Sequence, residues 1–472
     1  MGKKGKILIA VLLLTILFPM MLWASTGTGI PSVCSIRFEF ILFGMTLLGI
    51  AFSHRHTLSF ALIGLATIVA FKLIFDHSFP WMEHFFGNHP IGMQIIHKEI
   101  RSGEWSVLLN LIGLLLGFAI LSRHFEDSGV PEYLPKYLPS GWKGPFVLLA
   151  MILVLSSFLD NIAGALIGGT IAFVVFKGKV HIGYIAAIVA ASNAGGAGSV
   201  VGDTTTTMMW IEGVHPVSVF HAYIGSVSAF VFFAFFASIQ QYRYHPIDDH
   251  LSHETNIDRT RLIVIVFMLL LTITTSILFD LPALGLWIAI LTGGLFRKNP
   301  WSEVKAAIPG TIFLMALVIS ASMMPVEDLP VASWHTVFSL GFTSSIFDNI
   351  PLTKLALEQG GYDWGILAYA VGFGGSILWF GSSAGVAISS RFHETRSVIS
   401  WIKNGWHILV AYLIGFFVLL SFMGWHPQPL HKKKSIAQTE QSIQLSIGKN
   451  TLTSEIIKAP DVLSLRIGSF VE

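Results

Sequence analysis

Charge is what this chain has least of. Only 12% of its 472 residues are charged, against roughly a quarter in an ordinary soluble domain. Meanwhile 53% are hydrophobic and the mean hydropathy is +0.70. Cysteine is nearly absent: the lone Cys34 excludes an intramolecular disulfide framework and a cysteine-based metal site. The 18 histidines show no HExxH or similar ligand spacing, so neither a resident metal nor any other cofactor is expected. A net charge of +2 without a basic patch gives nucleic acid nothing to bind. What remains is apolar sequence from end to end, and the chain reads as an all-α polytopic protein whose main partner is the lipid bilayer.

At about 20 apolar residues per crossing, helices are predicted near 7–24, 36–52, 58–76, 105–122, 182–212, 218–239, 261–280, 282–297, 303–324, 363–390 and 404–423. That makes about 11 transmembrane helices. The first is ambiguous, because Lys3, Lys4 and Lys6 ahead of an apolar run ending in small residues fit a cleaved signal peptide equally well. Residues 77–104 read as an interfacial connector, and 424–472 as a polar tail.

Two apolar stretches, 145–176 and 331–358, are interrupted centrally by SSFLDN and SSIFDN, and each half is too short to cross. A re-entrant hairpin, entering the membrane and leaving by the same side, accounts for both; such backbone is tolerated where protein or water surrounds it. Charge supports this. With two hairpins, the segments on one side hold 18 of the 29 Lys and Arg, while the opposite loops before the tail hold Lys98 and Arg101. Cytoplasmic loops carry that excess. A retained N-terminus is therefore cytoplasmic, the C-terminus is outside, and the hairpins open to opposite faces of the cell membrane.

The interruptions are copies. Ser156-Ser157-Phe158-Leu159-Asp160-Asn161-Ile162 recurs as Ser344-Ser345-Ile346-Phe347-Asp348-Asn349-Ile350, identical at five of seven positions. Gly195-Gly196 with Gly202 follows the first copy; Gly374-Gly375 with Gly381 follows the second at the same spacing. Each half thus carries a polar-tipped hairpin and a glycine-broken helix, an inverted-topology repeat. Secondary transporters with such repeats hold their substrate between the paired discontinuous helices.

Asp160, Asp203 and Asp348 are ionisable groups at membrane depth, which makes them functional candidates. Burial favours a neutral carboxyl and a bound cation favours the ionised one, so such a group can exchange a proton for a cation. Ser156, Ser157, Asn161, Asn193, Thr204, Thr205, Ser344, Ser345, Asn349, Ser382 and Ser383 add neutral oxygens, which suit a hard cation. The unwound backbone around Gly195, Gly196, Gly202, Gly374 and Gly375 adds carbonyls. Asp203 also reads as an N-cap for the second half of its helix, and Asp-Asn at a turn can simply satisfy local amides. Ser382 and Ser383 stand where the first half has Gly-Asp-Thr, so the second break lacks its acid. Lys354 and Glu358, like Lys72 and Asp76, are spaced four apart as helical ion pairs. For Lys354 the alternative is anion binding or charge compensation.

SSxxDNI followed by SNAGGAGSVVGDTTTTMMW resembles the NhaD-type sodium/proton antiporters and their relatives in the ion transporter superfamily, over residues 37–425 or so. That superfamily also holds citrate, dicarboxylate and arsenite carriers, and the pattern is similar to its putative citrate transporter group. The resemblance implies two inverted repeats in a homodimer with elevator-like movement. It implicates Asp160, Asn161, Asp203, Thr204, Thr205, Asp348 and Asn349. Ala163, where the second copy has Pro351, and Val200-Val201, where the antiporters are expected to carry a proline, depart from it.

The sequence therefore divides into a signal peptide or first helix (1–36), N-terminal scaffold and dimerisation helices (37–144) and a first transport half (145–240). Connecting helices (241–330), a second transport half (331–425) and the polar tail (426–472) follow. The function expected is secondary transport, Na⁺ or Li⁺ against H⁺, with cation-coupled carriage of citrate or another carboxylate as the alternative. A membrane enzyme is not expected: the GxGD of an intramembrane aspartyl protease would need glycine at Val200.

Overall fold

The computed structural model describes residues 31–33, 36–53, 56–247 and 257–428. The segment 7–24, Cys34 and nearly all of the tail lie outside the described residues. Apart from a two-residue antiparallel ladder, Ser32–Val33 with Ile36–Arg37, the fold is helical. In chain order the principal helices are α1 (Phe38–Phe52), α2 (Thr57–Phe75), α3 (Trp81–Phe86), α4 (Ile91–Ile96), α5 (Trp105–Glu126), α6 (Lys143–Ser156), α7 (Asn161–Val175), α8 (Ile182–Ala197), α9 (Thr204–Ile211) and α10 (Ala222–Tyr244). They continue with α11 (Arg259–Phe279), α12 (Pro282–Gly293), α13 (Trp301–Ser322), α14 (Trp334–Ile346), α15 (Asn349–Gln359), α16 (Trp364–Gly374), α17 (Ser383–Arg391), α18 (Val398–Asn404) and α19 (Trp406–Met423).

Among the described residues, six helical stretches are long and apolar enough to cross a membrane: α2, α5, α10 with the turn before it, α11, α13 and α19. The helices around the two DN motifs are not among them. At 1.5 Å per residue, the 14 residues of α6 and the 15 of α7 reach only about 21 to 23 Å, short of a ~30 Å hydrocarbon core. They lie antiparallel and close: a Cβ on Gly164 would meet Ser156 Cβ at 2.9 Å, and one on Gly168 would meet Ile152 Cδ1 at 2.3 Å.

Two cores hold the helices. The larger is organised around α8 and α16, buried along nearly their whole lengths and made of small and apolar residues. The smaller joins α1 and α2 to the far half of α13, through Phe38, Leu42, Ile68, Phe71, Leu317 and Ala321. Its edge carries the Lys72–Asp76 pair at 2.9 Å, formed as the spacing predicts and joined by Glu39.

Three details differ from the sequence reading. The connector 77–104 contains α3 and α4 and is pinned, not merely draped. Gln94 is buried, takes the amide of Ser102 (3.0 Å) and the indole of Trp105 (2.9 Å), and donates to Phe86 O. Arg101 donates to the carbonyls of Gln94 and Phe279. The segment 391–403 holds α18, where only a loop was expected. The second tip is also shorter than the first, since α14 runs to Ile346 and α15 restarts at Asn349. Between α10 and α12, Asp258 caps α11 through the amides of Thr260 and Arg261. The Arg297 guanidinium at 2.8 Å holds its carboxyl below the usual range.

Candidate ion-binding site

The run that opens as SNAGGAGSVVGDTTTT is a broken helix. α8 ends at Ala197, residues 198–203 are not helical, and α9 restarts at Thr204 with Asp203 as its N-cap, Oδ1 accepting from Thr205 N at 3.2 Å. A break inside a protein frees carbonyls that water cannot reach, and each needs a donor. The threonines supply them: Thr206 Oγ1 donates to Ser199 O (2.5 Å), and Thr207 Oγ1 to Val200 O (2.9 Å). Gly195 O accepts from Tyr223 Oη at 3.0 Å. The glycines are required by close approach. A Cβ on Gly196 would lie 2.6 Å from Gly202 O, and one on Gly202 would lie 2.3 Å from Ser156 O.

The second break repeats these contacts. α16 ends at Gly374 and α17 begins at Ser383, capped by Ser382 Oγ, which accepts from Gly385 N at 3.2 Å. A Cβ on Gly375 would meet Gly381 O at 2.9 Å, and one on Gly381 would meet Ser345 O at 2.4 Å. Ser382 thus takes the place of Asp203 as cap, and the second break has no acid.

The two DN motifs restart helices in the same way. Asp160 and Asp348 are N-caps with near-identical backbone angles (φ −54°, ψ 143° and 140°), accepting from Ile162 N (3.2 Å) and Ile350 N (3.1 Å). Asparagines cross-link the halves, Asn161 through Asn193 and Asn349 directly. Asn161 Nδ2 donates to Asn193 Oδ1 (3.1 Å), whose own amide donates to Ser376 Oγ (2.9 Å) and Ser382 Oγ (3.1 Å). In the other direction Asn349 Nδ2 approaches Asp203 Oδ2 at 3.4 Å, and Ser383 Oγ donates to Asp348 Oδ2 at 3.1 Å.

Part of this set faces a cavity of about 420 Å³, while Asn193, Ser376 and Ser382 lie outside its wall. One wall is Asp160, Asn161, Asp203, Thr204, Asn349 and Ser383; the other comes from α5 and α13, including Phe118 and Thr311. Asp348 lies at the edge of a neighbouring apolar pocket with Ser383 common to both. The four tip serines are not in the wall. Ser156 Oγ meets Ser192 Oγ (3.2 Å), Ser157 Oγ donates to Leu153 O (3.0 Å), Ser344 Oγ to Val371 O (2.7 Å) and Ser345 Oγ to Phe342 O (2.6 Å). Ser156, Ser344 and a second contact of Ser157, to Gly195 O at 3.3 Å, fasten the tips to the broken helices, whereas Ser345 bonds only within its own helix. Thr205 is fully buried behind Thr204.

Sequence reasoning missed Ser192, Tyr223 and Ser376. Ser376 had a signal: it stands just after the second Gly-Gly, where the first copy has Ala197. A second group was half seen. Lys354 pairs with Glu358 at 2.7 Å as its spacing predicts, but also with Glu104 (2.9 Å) and Glu212 (2.5 Å), from elements 250 and 142 residues away.

A helical chain with several membrane-length spans and polar groups gathered at paired helix breaks is a multi-pass membrane protein built like a transporter. Residues 2–374 match the family described as "Citrate transporter", and the chain belongs to that family. It is also similar to "Sodium/proton antiporter 1" of Arabidopsis thaliana, 26% identical over 74% of this chain and 66% of that protein. "Sodium/proton antiporter 2" of the same plant is 24% identical over 74% and 91%. "Na(+)/H(+) antiporter NhaD" of Alkalimonas amylolytica is 23% identical over 56% and 66%. The matched part thus spans just under two thirds of the first and third of these relatives. The motif resemblance, antiporter-like and related to the citrate group, agrees with both comparisons.

Proposed function

We propose that this chain is a secondary active transporter exchanging Na⁺ or Li⁺ for H⁺ by alternating access, with the ion held by Asp160, Asp203 and Asp348. One observation carries the choice of a cation. A helix N-terminus attracts anions, but those of α7, α9 and α15 are already capped by the carboxylates of these three residues. Among the described residues, the one Lys or Arg in the cavity wall, Arg123, is matched by Glu126 at 3.0 Å and Asp127 at 3.1 Å. A bare carboxylate would meet fixed negative charge there; a hard cation would meet carboxylate, amide and hydroxyl oxygens.

In this reading 145–176 and 331–358 are oppositely facing re-entrant hairpins of an inverted repeat, about 11 helices cross the membrane, and 37–144 with 241–330 form the scaffold of a homodimer. The cavity opens toward the cytoplasm. Arg123 and Glu126 end α5, Glu303 begins α13, and the positive-inside rule assigns both ends to that side. Asn161, Asn193, Asn349, Thr204 and Ser383 complete the ion's surroundings, while the tip serines and glycines shape the backbone around it.

The family description and the cavity's size favour a second reading, carriage of citrate or a related carboxylate. Na⁺ or H⁺ on the aspartates would neutralise the caps and let Asn161, Asn349 and Ser383 face the anion. Proteoliposomes decide: Na⁺-driven movement of internal protons is expected, whereas labelled citrate accumulating without it would leave only the second reading.

A further inference from the structure

Lys354 is fully buried and surrounded by three carboxylates from three separate elements. Glu358 lies one turn along its own helix, Glu212 closes α9, and Glu104 precedes α5. Two of these elements lead straight back to the ion site. α9 runs from Asp203 to the Glu212 end, and α15 runs from Asn349 past Lys354. The third follows one face of α5. Glu104, Leu108, Leu111, Leu115, Phe118 and Ser122 alternate at spacings of four and three, a single helical stripe. Leu115, Phe118 and Ser122 line the cavity, and Leu111 is fully buried between cavity and lysine. Cavity and cluster therefore sit toward opposite ends of α5: the Arg123 and Glu126 end lines the cavity, and the Glu104 end carries the lysine cluster.

The geometry points to an outer gate: Lys354 with Glu104, Glu212 and Glu358 closes the transport path to the outside and separates at the Lys354–Glu104 contact when that side opens. This rests on the transport reading. The arrangement suits a contact that breaks and reforms. Stripping a buried lysine of its only partner is strongly unfavourable, but Lys354 has two more carboxylates, Glu358 on its own helix and Glu212 on α9. If α5 belongs to the scaffold while α9 and α15 move with the ion site, Glu104 is the leg that parts. The lysine stays paired throughout.

The test uses the full chain in right-side-out vesicles, with Cys34→Ser and a reporter, Leu111→Cys, labelled from outside by a membrane-impermeant maleimide. Glu104→Gln should speed labelling at least tenfold. Glu358→Gln removes the same charge but leaves the cross-element contact, and should change the rate less than twofold. Glu104→Asp, which only withdraws the carboxylate, should act in the same direction as Glu104→Gln by a smaller factor, and stands in if that variant fails to fold. Equal acceleration by Glu104→Gln and Glu358→Gln, or no acceleration by either Glu104 variant, would overturn the gate and leave a structural brace. Na⁺-driven proton movement in the same vesicles is scored separately: its absence with gate-dependent labelling would count against the transported ion, not the gate.

Discussion

Replacing Asp203 by asparagine separates two jobs that one side chain performs. As a cap, Asp203 offers Oδ1 to Thr205 N at 3.2 Å, and asparagine caps about as well as aspartate. Its other oxygen faces Asn349 Nδ2 at 3.4 Å, and that amide can turn over to present an oxygen to a new donor. Folding should therefore change by no more than ~1 kcal/mol. The charge has no substitute. A cation ~3 Å from a carboxylate in an effective dielectric of ~20 gains about 5 kcal/mol, which corresponds to a loss of affinity beyond a thousandfold. The assay is Na⁺-dependent proton movement in proteoliposomes, beside thermal unfolding of the detergent-purified variant. Transport is expected to vanish while the unfolding midpoint moves by a few degrees at most. A variant that transports within threefold of the parent would reduce Asp203 to a helix cap.

Gly202→Ala would bring a methyl group to 2.3 Å from Ser156 O, where backbone must yield. It should cost ~1–3 kcal/mol, seen as a lower unfolding midpoint, while Gly44→Ala in α1, with nothing within 4 Å, should cost nothing. Asn193→Leu leaves Asn161, Ser376 and Ser382 without their shared partner, at ~1–3 kcal/mol for each group left unsatisfied. It should lower both thermal stability and apparent Na⁺ affinity, and unchanged affinity would mean that the cross-link between the halves does not shape the site.

Much of this was legible in the residues because helix breaks inside a membrane need rare chemistry. Glycine runs, Asp-Asn pairs and four threonines in a row have few other reasons to sit in apolar sequence, so α8–α9, the two caps at Asp160 and Asp348, and the serine in place of an acid at the second break could all be anticipated. The roles inside that pattern were less legible. Nothing in SSxxDN tells that its first serine fastens the tip to Ser192 in one half and to the Val371 carbonyl in the other, or that Asn349 crosses to Asp203 while Asn161 stays with Asn193. That depends on which helix each rotamer meets. The Lys354 cluster was hidden for the same reason: helical spacing exposes Glu358, but Glu104 and Glu212 reach the lysine only through tertiary packing. The short helices α3, α4 and α18 escaped notice because six- and seven-residue segments have too little periodicity to stand out from loop.

If the three aspartates bind the transported cation itself, sodium alone must move protons. Reconstituted protein, loaded with a pH dye and given an inward Na⁺ gradient, tests it most directly. Internal alkalinisation is expected, also with Li⁺, abolished by Asp203→Asn and requiring no citrate on either side. Uptake of labelled citrate with no Na⁺-dependent change in internal pH would contradict it and make the ion only the companion of another cargo.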